Sequence, residues 1–122
     1  MHGADDVAVR IVQLTHALDR WIRALRPCIP PAKAWQRSLI ALLDDADRLM
    51  QILRMTEAMA KSDEAIVEAT NELVATCRKI SLAIQGTRAD ALVKASVEAI
   101  AETGMELRKL VLNAASLPPS VQ

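Results

Sequence analysis

Several residue types that commonly build protein cores are missing or scarce in this chain. Its 122 residues include no Phe, no Tyr, two Trp, two Cys and three Gly. Without Phe or Tyr, the core must be built from Leu, Ile, Val, Ala and Met, and the shortage of Gly favours helices. Two Cys are too few for the disulfide framework of a small secreted domain.

A charge imbalance and a long apolar run are absent as well. Fifteen Lys and Arg balance fifteen Asp and Glu, so the net charge does not predict a binder of nucleic acid or membrane surfaces. No apolar run approaches the roughly 20 residues of a membrane span. The first six residues lack the basic and apolar regions of a secretory signal. We therefore expect a cytoplasmic protein with no membrane span.

One clear break interrupts an otherwise helical sequence. Residues 20–37 contain three of the five prolines and both tryptophans. Pro27 is expected to end a first helix and Pro31 to begin a second. Proline disfavours helical angles in the residue before it, but it is well accepted at the first helical position. Asp5 or Asp6 is expected to cap the first helix.

Mostly apolar residues recur in steps of four and three in four segments, which is the a/d pattern of packed helices. We predict helices over residues 6–26, 31–60, 63–85 and 88–112. The four predicted core seams are Val7, Ile11, Leu14, Leu18, Trp21 and Leu25; Trp35, Leu39, Leu42, Ala46, Leu49 and Leu53; Ile66, Thr70, Leu73, Cys77, Ile80 and Ile84; and Val93, Val97, Ile100, Gly104, Leu107 and Val111. Both tryptophans would then be buried together near one end of the core.

Four such segments with short links predict an all-α fold, an antiparallel up-down four-helix bundle with coiled-coil-like seams, over residues 1–116. Residues 117–122 are predicted to form a flexible C-terminal tail. Ser62 or Asp63 would cap the third helix after a chain reversal. The alternative is one helix running through residues 61–64, which would force the chain to pair or swap with a second copy. Gly86 would end the third helix, and residues 87–90 would form a capping box for the fourth.

Motifs for catalysis or cofactor binding are not found. Two rows of glutamates at four-residue spacing fall on outward positions: Glu64, Glu68 and Glu72, and Glu98, Glu102 and Glu106. No Glu-x-x-His pair, as in di-iron bundles, accompanies them. Cys77 is a core position, and Cys28 has no second Cys or His nearby. We expect no metal, no cofactor and no catalytic residue, and we favour a protein that is not an enzyme.

Charge is distributed unevenly along the predicted bundle. Residues 17–41 and 76–97, which would lie at one end, carry nine basic and two acidic residues, whereas the remainder carries six basic and thirteen acidic ones. This basic end would attract an acidic protein, an anionic ligand or a second copy of the chain. The candidate binding residues are Arg23, Arg26, Lys33, Arg37 and Arg88. The near absence of aromatic residues argues against nucleic acid.

His16 offers an alternative with a specific chemistry. It falls on the most exposed position of the first helix, midway along the bundle. There, His16-Ala17-Leu18 resembles the start of the His-x-x-Lys-Gly signature of histidine phosphotransfer domains. The resemblance covers only these residues, and it implies that His16 accepts a phosphoryl group. Asp19 and Arg20 replace the lysine and the glycine, which puts phosphate attraction and access of a receiver domain in doubt.

The sequence therefore predicts a non-enzymatic helical bundle that acts by protein–protein interaction. An adaptor, a chaperone-like factor and a self-associating subunit are all consistent with it. The alternative function is phosphotransfer through His16.

Overall fold

The computed structural model describes residues 2–59 and 62–115 and consists of four antiparallel helices over that part of the chain. The helices are α1 (His2–Leu25), α2 (Ala34–Ala58), α3 (Asp63–Ala83) and α4 (Ala91–Ala115). Each helix packs against two neighbours, and α1 closes the ring by packing on α4. The predicted four-helix bundle is confirmed. The predicted tail at residues 117–122 lies outside the described residues.

Two of the three chain reversals follow the predicted signals. The α-helical part of α1 ends at Leu25, and Pro27 lies in a single 3-10 turn, Arg26–Cys28. Ser62 caps α3, because its Oγ accepts a hydrogen bond from the N–H of Ala65 at 3.3 Å. Since α2 and α3 are separate helices, the alternative of one continuous helix is wrong.

The predicted starts of α2 and α4, at residues 31 and 88, lie three residues too early in the sequence. α2 begins at Ala34 rather than Pro31, and Gln36 Oε1 holds the preceding turn by accepting hydrogen bonds from the N–H groups of Ala32 and Lys33. α1 shows the reverse, because it already includes His2, so that positions 5 and 6 lie inside the helix rather than at its start.

The turn between α3 and α4 uses Thr87 and Asp90, the end residues of the predicted capping box, but in other roles. Asp90 caps α4, since its Oδ1 accepts from the N–H of Val93 at 2.9 Å. Thr87 instead donates its hydroxyl to the carbonyl oxygen of Ile84 at 2.6 Å and so closes the end of α3. Gly86 has a φ of +77°, the left-handed conformation that glycine adopts at little cost.

The core follows the predicted seams in three helices and departs from them in α1. Every predicted position of α4 is buried, as are five of the six in α3. In α1, Trp21 is 41 % exposed and Ile22 is 1 % exposed. A straight helix has 3.6 rather than 3.5 residues per turn, so its buried face drifts to Ile22 along the chain. Trp35 packs partly buried against the core, and the predicted burial of both tryptophans is wrong for Trp21.

Candidate functional site

A groove of about 630 Å³ runs between α1 and α2. It exists because α1 packs much more extensively on α4 than on α2. The residues that line it are Val12, Thr15 and His16 from α1, and Gln51, Arg54, Met55, Glu57 and Ala58 from α2. We refer to this feature as the α1–α2 groove.

Ion pairs connect α1 and α2 on the side of the groove nearer to Pro27. Arg26 Nε lies 2.8 Å from Asp44 Oδ1, Arg23 Nε lies 3.2 Å from Asp19 Oδ1 and 3.7 Å from Asp47 Oδ1, and Arg54 Nη1 lies 3.3 Å from Asp19 Oδ2. The hydrogen bond to Asp44 also raises the pKa of Arg26. We call these six residues the α1–α2 ladder.

Asp19 is the least exposed member of the ladder. Its side chain is only 13 % exposed, and each carboxylate oxygen faces one guanidinium, from Arg23 or from Arg54. Its buried Oδ1 makes no hydrogen bond of good geometry and relies on the ion pair with Arg23. The two arginines therefore compensate the cost of removing this carboxylate from water.

Two of the predicted binding residues, Arg23 and Arg26, belong to the ladder. Arg23 and Arg26 lie within ion-pair distance of Asp47 and Asp44. Both acids lie outside residues 17–41 and 76–97, so the charge count along the chain places them in the acidic remainder rather than at the basic end. The residue numbers contain a signal for these pairs. Residues that face each other in two antiparallel helices have numbers with a constant sum, and 23 with 47 gives the same sum as 26 with 44.

The other three predicted binding residues lie around the two links at this end. Arg37 Nη1 donates hydrogen bonds to the carbonyl oxygens of Pro31 and Ala32, at 3.4 and 3.0 Å, and so stabilises the link before α2. Lys33 and Arg88 are exposed. The surface charge of this end thus depends more on Lys33 and Arg88 than on the ladder arginines.

Large apolar side chains are exposed on the two helices that form the groove, and two of them, Val12 and Met55, line it. They are Val9 and Val12 on α1, and Ile52, Met55 and Met59 on α2. Met55 and Met59 are 61 % and 60 % exposed. Spacings of three and four residues place each set along one side of its helix. We call these five residues the apolar rim.

Glu57 lies half-buried where the groove meets the end of the bundle. Thr15 Oγ1 lies 3.5 Å from its Oε2, but that hydroxyl makes a shorter bond of 2.8 Å to the Ile11 carbonyl. Within the described part of the chain, no Lys, Arg or His nitrogen lies within 4.0 Å of this carboxylate. Burial raises the pKa of Glu57, and the opposing effects of Thr15 and Arg54 are smaller.

A second cavity, of about 230 Å³, lies beside Glu57 at the end of the bundle. Its apolar walls include Ala8 and Ile11 from α1, Ile66 from α3, and Val111 and Ala114 from α4, and its polar groups are Glu57 and Asp63. Val12 and Glu57 line both this cavity and the α1–α2 groove. We call it the end cavity.

The remaining candidates for chemistry are dispersed. His16 is exposed and lines the α1–α2 groove together with Arg54. All six glutamates of the two rows are exposed, and no group of three potential metal ligands occurs among the described residues. Both cysteines are free: Cys28 is exposed, whereas burial raises the pKa of Cys77 to about 12.

Comparisons of this chain with protein-family models, with curated proteins and with solved structures found no match. Over the described residues, no helix has both the length and the apolar character needed to cross a membrane. The chemistry and geometry of the groove and of the two ends of the bundle are therefore the features that bear on function.

Proposed function

We propose that the protein is a non-enzymatic interaction module that binds a helical segment of another protein in the α1–α2 groove. The observation that carries this proposal is the exposure of Val12 and Met55 in a groove where two neighbouring helices leave each other partly uncovered, with the rest of the apolar rim exposed on the same two helices. Contiguous exposed apolar side chains are typical of interaction sites, and an amphipathic helix is a natural occupant of a groove between helices.

The composition of the rim suits a partner-binding surface. Met55 and Met59 are unbranched and flexible, so they repack readily against a bound side chain. Val9 and Val12 provide stiffer surfaces on the opposite helix. The buried apolar area of a bound helix would supply most of the affinity.

Charge near the groove favours an acidic partner. Arg20, Arg48 and Arg54 are exposed on the two helices that form the groove. Arg54 and Glu57 are the charged residues of the groove lining, and the arginine is exposed whereas the glutamate is half-buried. Carboxylates flanking the apolar stripe of a partner helix would be attracted to these arginines.

The test compares two double variants and one matched control in co-purification from native extract, with identification of bound proteins by mass spectrometry. Val12→Ser with Met55→Ser removes two apolar groups from the groove lining and is expected to lose the proteins that the unmodified chain retains. Ile52→Ser with Met59→Ser changes α2 outside that lining and is expected to lose fewer of them. Met105→Ser removes a methionine of similar exposure on α4, outside the groove, and should retain them. Equal retention by all three variants would contradict the proposal.

Phosphotransfer through His16 is the second candidate function, and one observation favours it. Arg54 lines the same groove as His16 and would stabilise a phosphoryl group on the imidazole. The carboxylate of Asp19, which follows His16 in sequence, is paired with two guanidiniums. Incubation with a small phosphodonor or a phosphorylated receiver domain should give acid-labile label that His16→Gln abolishes. Absence of label in the unmodified chain would exclude this function.

A further inference from the structure

The described residues around the end cavity combine apolar walls with acidic groups. Among those residues, Glu57 and Asp63 are the titratable ones, and both are acidic. The remaining lining is Ala, Val and Ile side chains contributed by α1, α3 and α4. An anionic or strongly polar ligand would therefore lose hydration on entry and gain no compensating contact.

Glu57 is the group that gives the cavity a preference for cations. Its carboxylate is half-buried, and the described residues place no cationic nitrogen within 4.0 Å of it. Arg54, the nearest cationic group on the same helix, directs its guanidinium to Asp19 at 3.3 Å. A carboxylate that is partly removed from water and lacks an ion-pair partner is stabilised by an external cation.

We propose that the end cavity is a binding site for a small alkylammonium ion. The ammonium group would lie between Glu57 and Asp63, and the alkyl chain would lie against Ile11, Ile66 and Val111. At about 30 Å³ per water-sized group, a cavity of about 230 Å³ has room for roughly eight non-hydrogen atoms. A six- or seven-carbon chain with its nitrogen has that size.

This proposal is independent of the proposed function, because it concerns a different ligand class and a different site. The two sites share Val12 and Glu57, so an occupied end cavity would lie directly beside a partner helix in the groove. Substitutions of the apolar rim at Ile52 and Met59 leave the lining of the end cavity unchanged.

The experiment titrates the full chain separately with hexylammonium, 1-hexanol and hexanoate, which share a six-carbon chain and differ in charge. Binding is followed by ¹H–¹⁵N NMR shifts of the backbone amides of Ile11, Ile66 and Val111. Hexylammonium is expected to bind roughly five- to tenfold more tightly than 1-hexanol, because its ammonium group makes charge-assisted hydrogen bonds to the carboxylates. Hexanoate is expected to bind more weakly than 1-hexanol.

Three variants separate this site from general attraction of an apolar cation. Glu57→Gln keeps the shape of the side chain and should reduce hexylammonium affinity to that of 1-hexanol, while 1-hexanol binding is unchanged. Glu102→Gln removes an exposed carboxylate of α4 outside the cavity and should leave all affinities unchanged. Ala114→Leu fills the cavity and should weaken binding of hexylammonium and 1-hexanol alike.

Two results would overturn the proposal. The first is equal affinity for hexylammonium and 1-hexanol in the unmodified chain. The second is a preference for hexylammonium that survives Glu57→Gln or that shifts amides away from the end cavity.

Discussion

Two adjacent residues of α1, Trp21 and Ile22, are expected to differ strongly in how much their side chains contribute to the stability of the fold. Ile22 is buried in the core, whereas Trp21 lies near the surface. Ile22→Ala should lower the free energy of unfolding by about 2–5 kcal/mol, because it leaves a cavity among well-packed neighbours. Trp21→Ala should cost about 1 kcal/mol or less, as for most surface positions. Urea unfolding followed by circular dichroism measures both, and the opposite order would contradict the assignment.

Glu57 predicts a pH dependence of stability whose sign follows from its burial. Because its pKa is raised in the folded state, folding favours its neutral form. Its contribution to stability is therefore present below the pKa of the unfolded state and is lost as pH rises through the folded-state pKa. The groups around it, Thr15, Arg54 and Asp63, are the same in wild type and in Glu57→Gln.

The Glu57→Gln variant should consequently gain stability relative to wild type as the pH is raised from acid to neutral, because only the wild-type side chain acquires a charge that burial disfavours. The difference in free energy of unfolding between the two proteins, measured in urea at several pH values, tests this. Glu102→Gln serves as the control, since it removes one negative charge from an exposed position of α4.

At the scale of the helices, the α1–α2 interface is the polar side of the bundle. α1 packs broadly on α4, but it meets α2 through the ladder and the groove. Exposed ion pairs contribute little to stability, so the ladder sets the register of α1 against α2 more than it strengthens the interface. An interface of this kind leaves apolar surface uncovered beside it, which is the basis of the proposed partner site.

The ladder should respond unequally to substitution and to salt. Asp19→Ala leaves two guanidiniums without their nearly buried partner, and it should cost about 1–3 kcal/mol of unfolding free energy. Asp44→Ala removes an exposed pair and should cost less. Raising the salt concentration to about 1 M should reduce the effect of Asp44→Ala more strongly, because exposed charges are screened better than buried ones. Chemical denaturation with urea at low and high NaCl provides the measurement, and identical salt responses would argue against the buried role of Asp19.

The sequence predicted those elements whose signals are local and repeat along a helix. The seams of α3 and α4 were predictable because Leu73, Ile80 and Ile100 recur in a regular apolar pattern. The starts of α2 and α4 were not, because they depend on which of several competing side chains, Gln36 and Asp90 among them, forms the hydrogen bonds. The α1–α2 groove follows from unequal packing of α1 on its two neighbours, which no local pattern encodes.

For the molecule as a whole, the uneven distribution of charge still predicts an electrostatic component of association. Lys33 and Arg88 test it best, because both are exposed at the basic end and neither belongs to the ladder. Lys33→Glu with Arg88→Glu should weaken binding to an acidic partner or to a second copy, and high salt should weaken it in wild type. Sedimentation velocity and co-purification at low and high salt measure both effects.

A double variant of the ladder is compared with Lys33→Glu, Arg88→Glu in the same experiment. Arg23→Glu with Arg26→Glu places like charges beside Asp47 and Asp44, so it should lower stability as well as association. Unfolding in urea separates the two effects. Association that is unchanged by both double variants and by salt would show that the basic end does not take part in binding.

The extensive packing of the first helix on the last also has a consequence during synthesis. The apolar stripe of α1 is complete once Leu25 has been made, but its main neighbour, α4, ends only at Ala115. At about 5–20 residues per second, a ribosome takes roughly 5–18 s to add the residues between those positions. For that interval the face of α1 that packs on α4 stays uncovered, so the nascent chain presents an apolar surface that a ribosome-associated chaperone could bind.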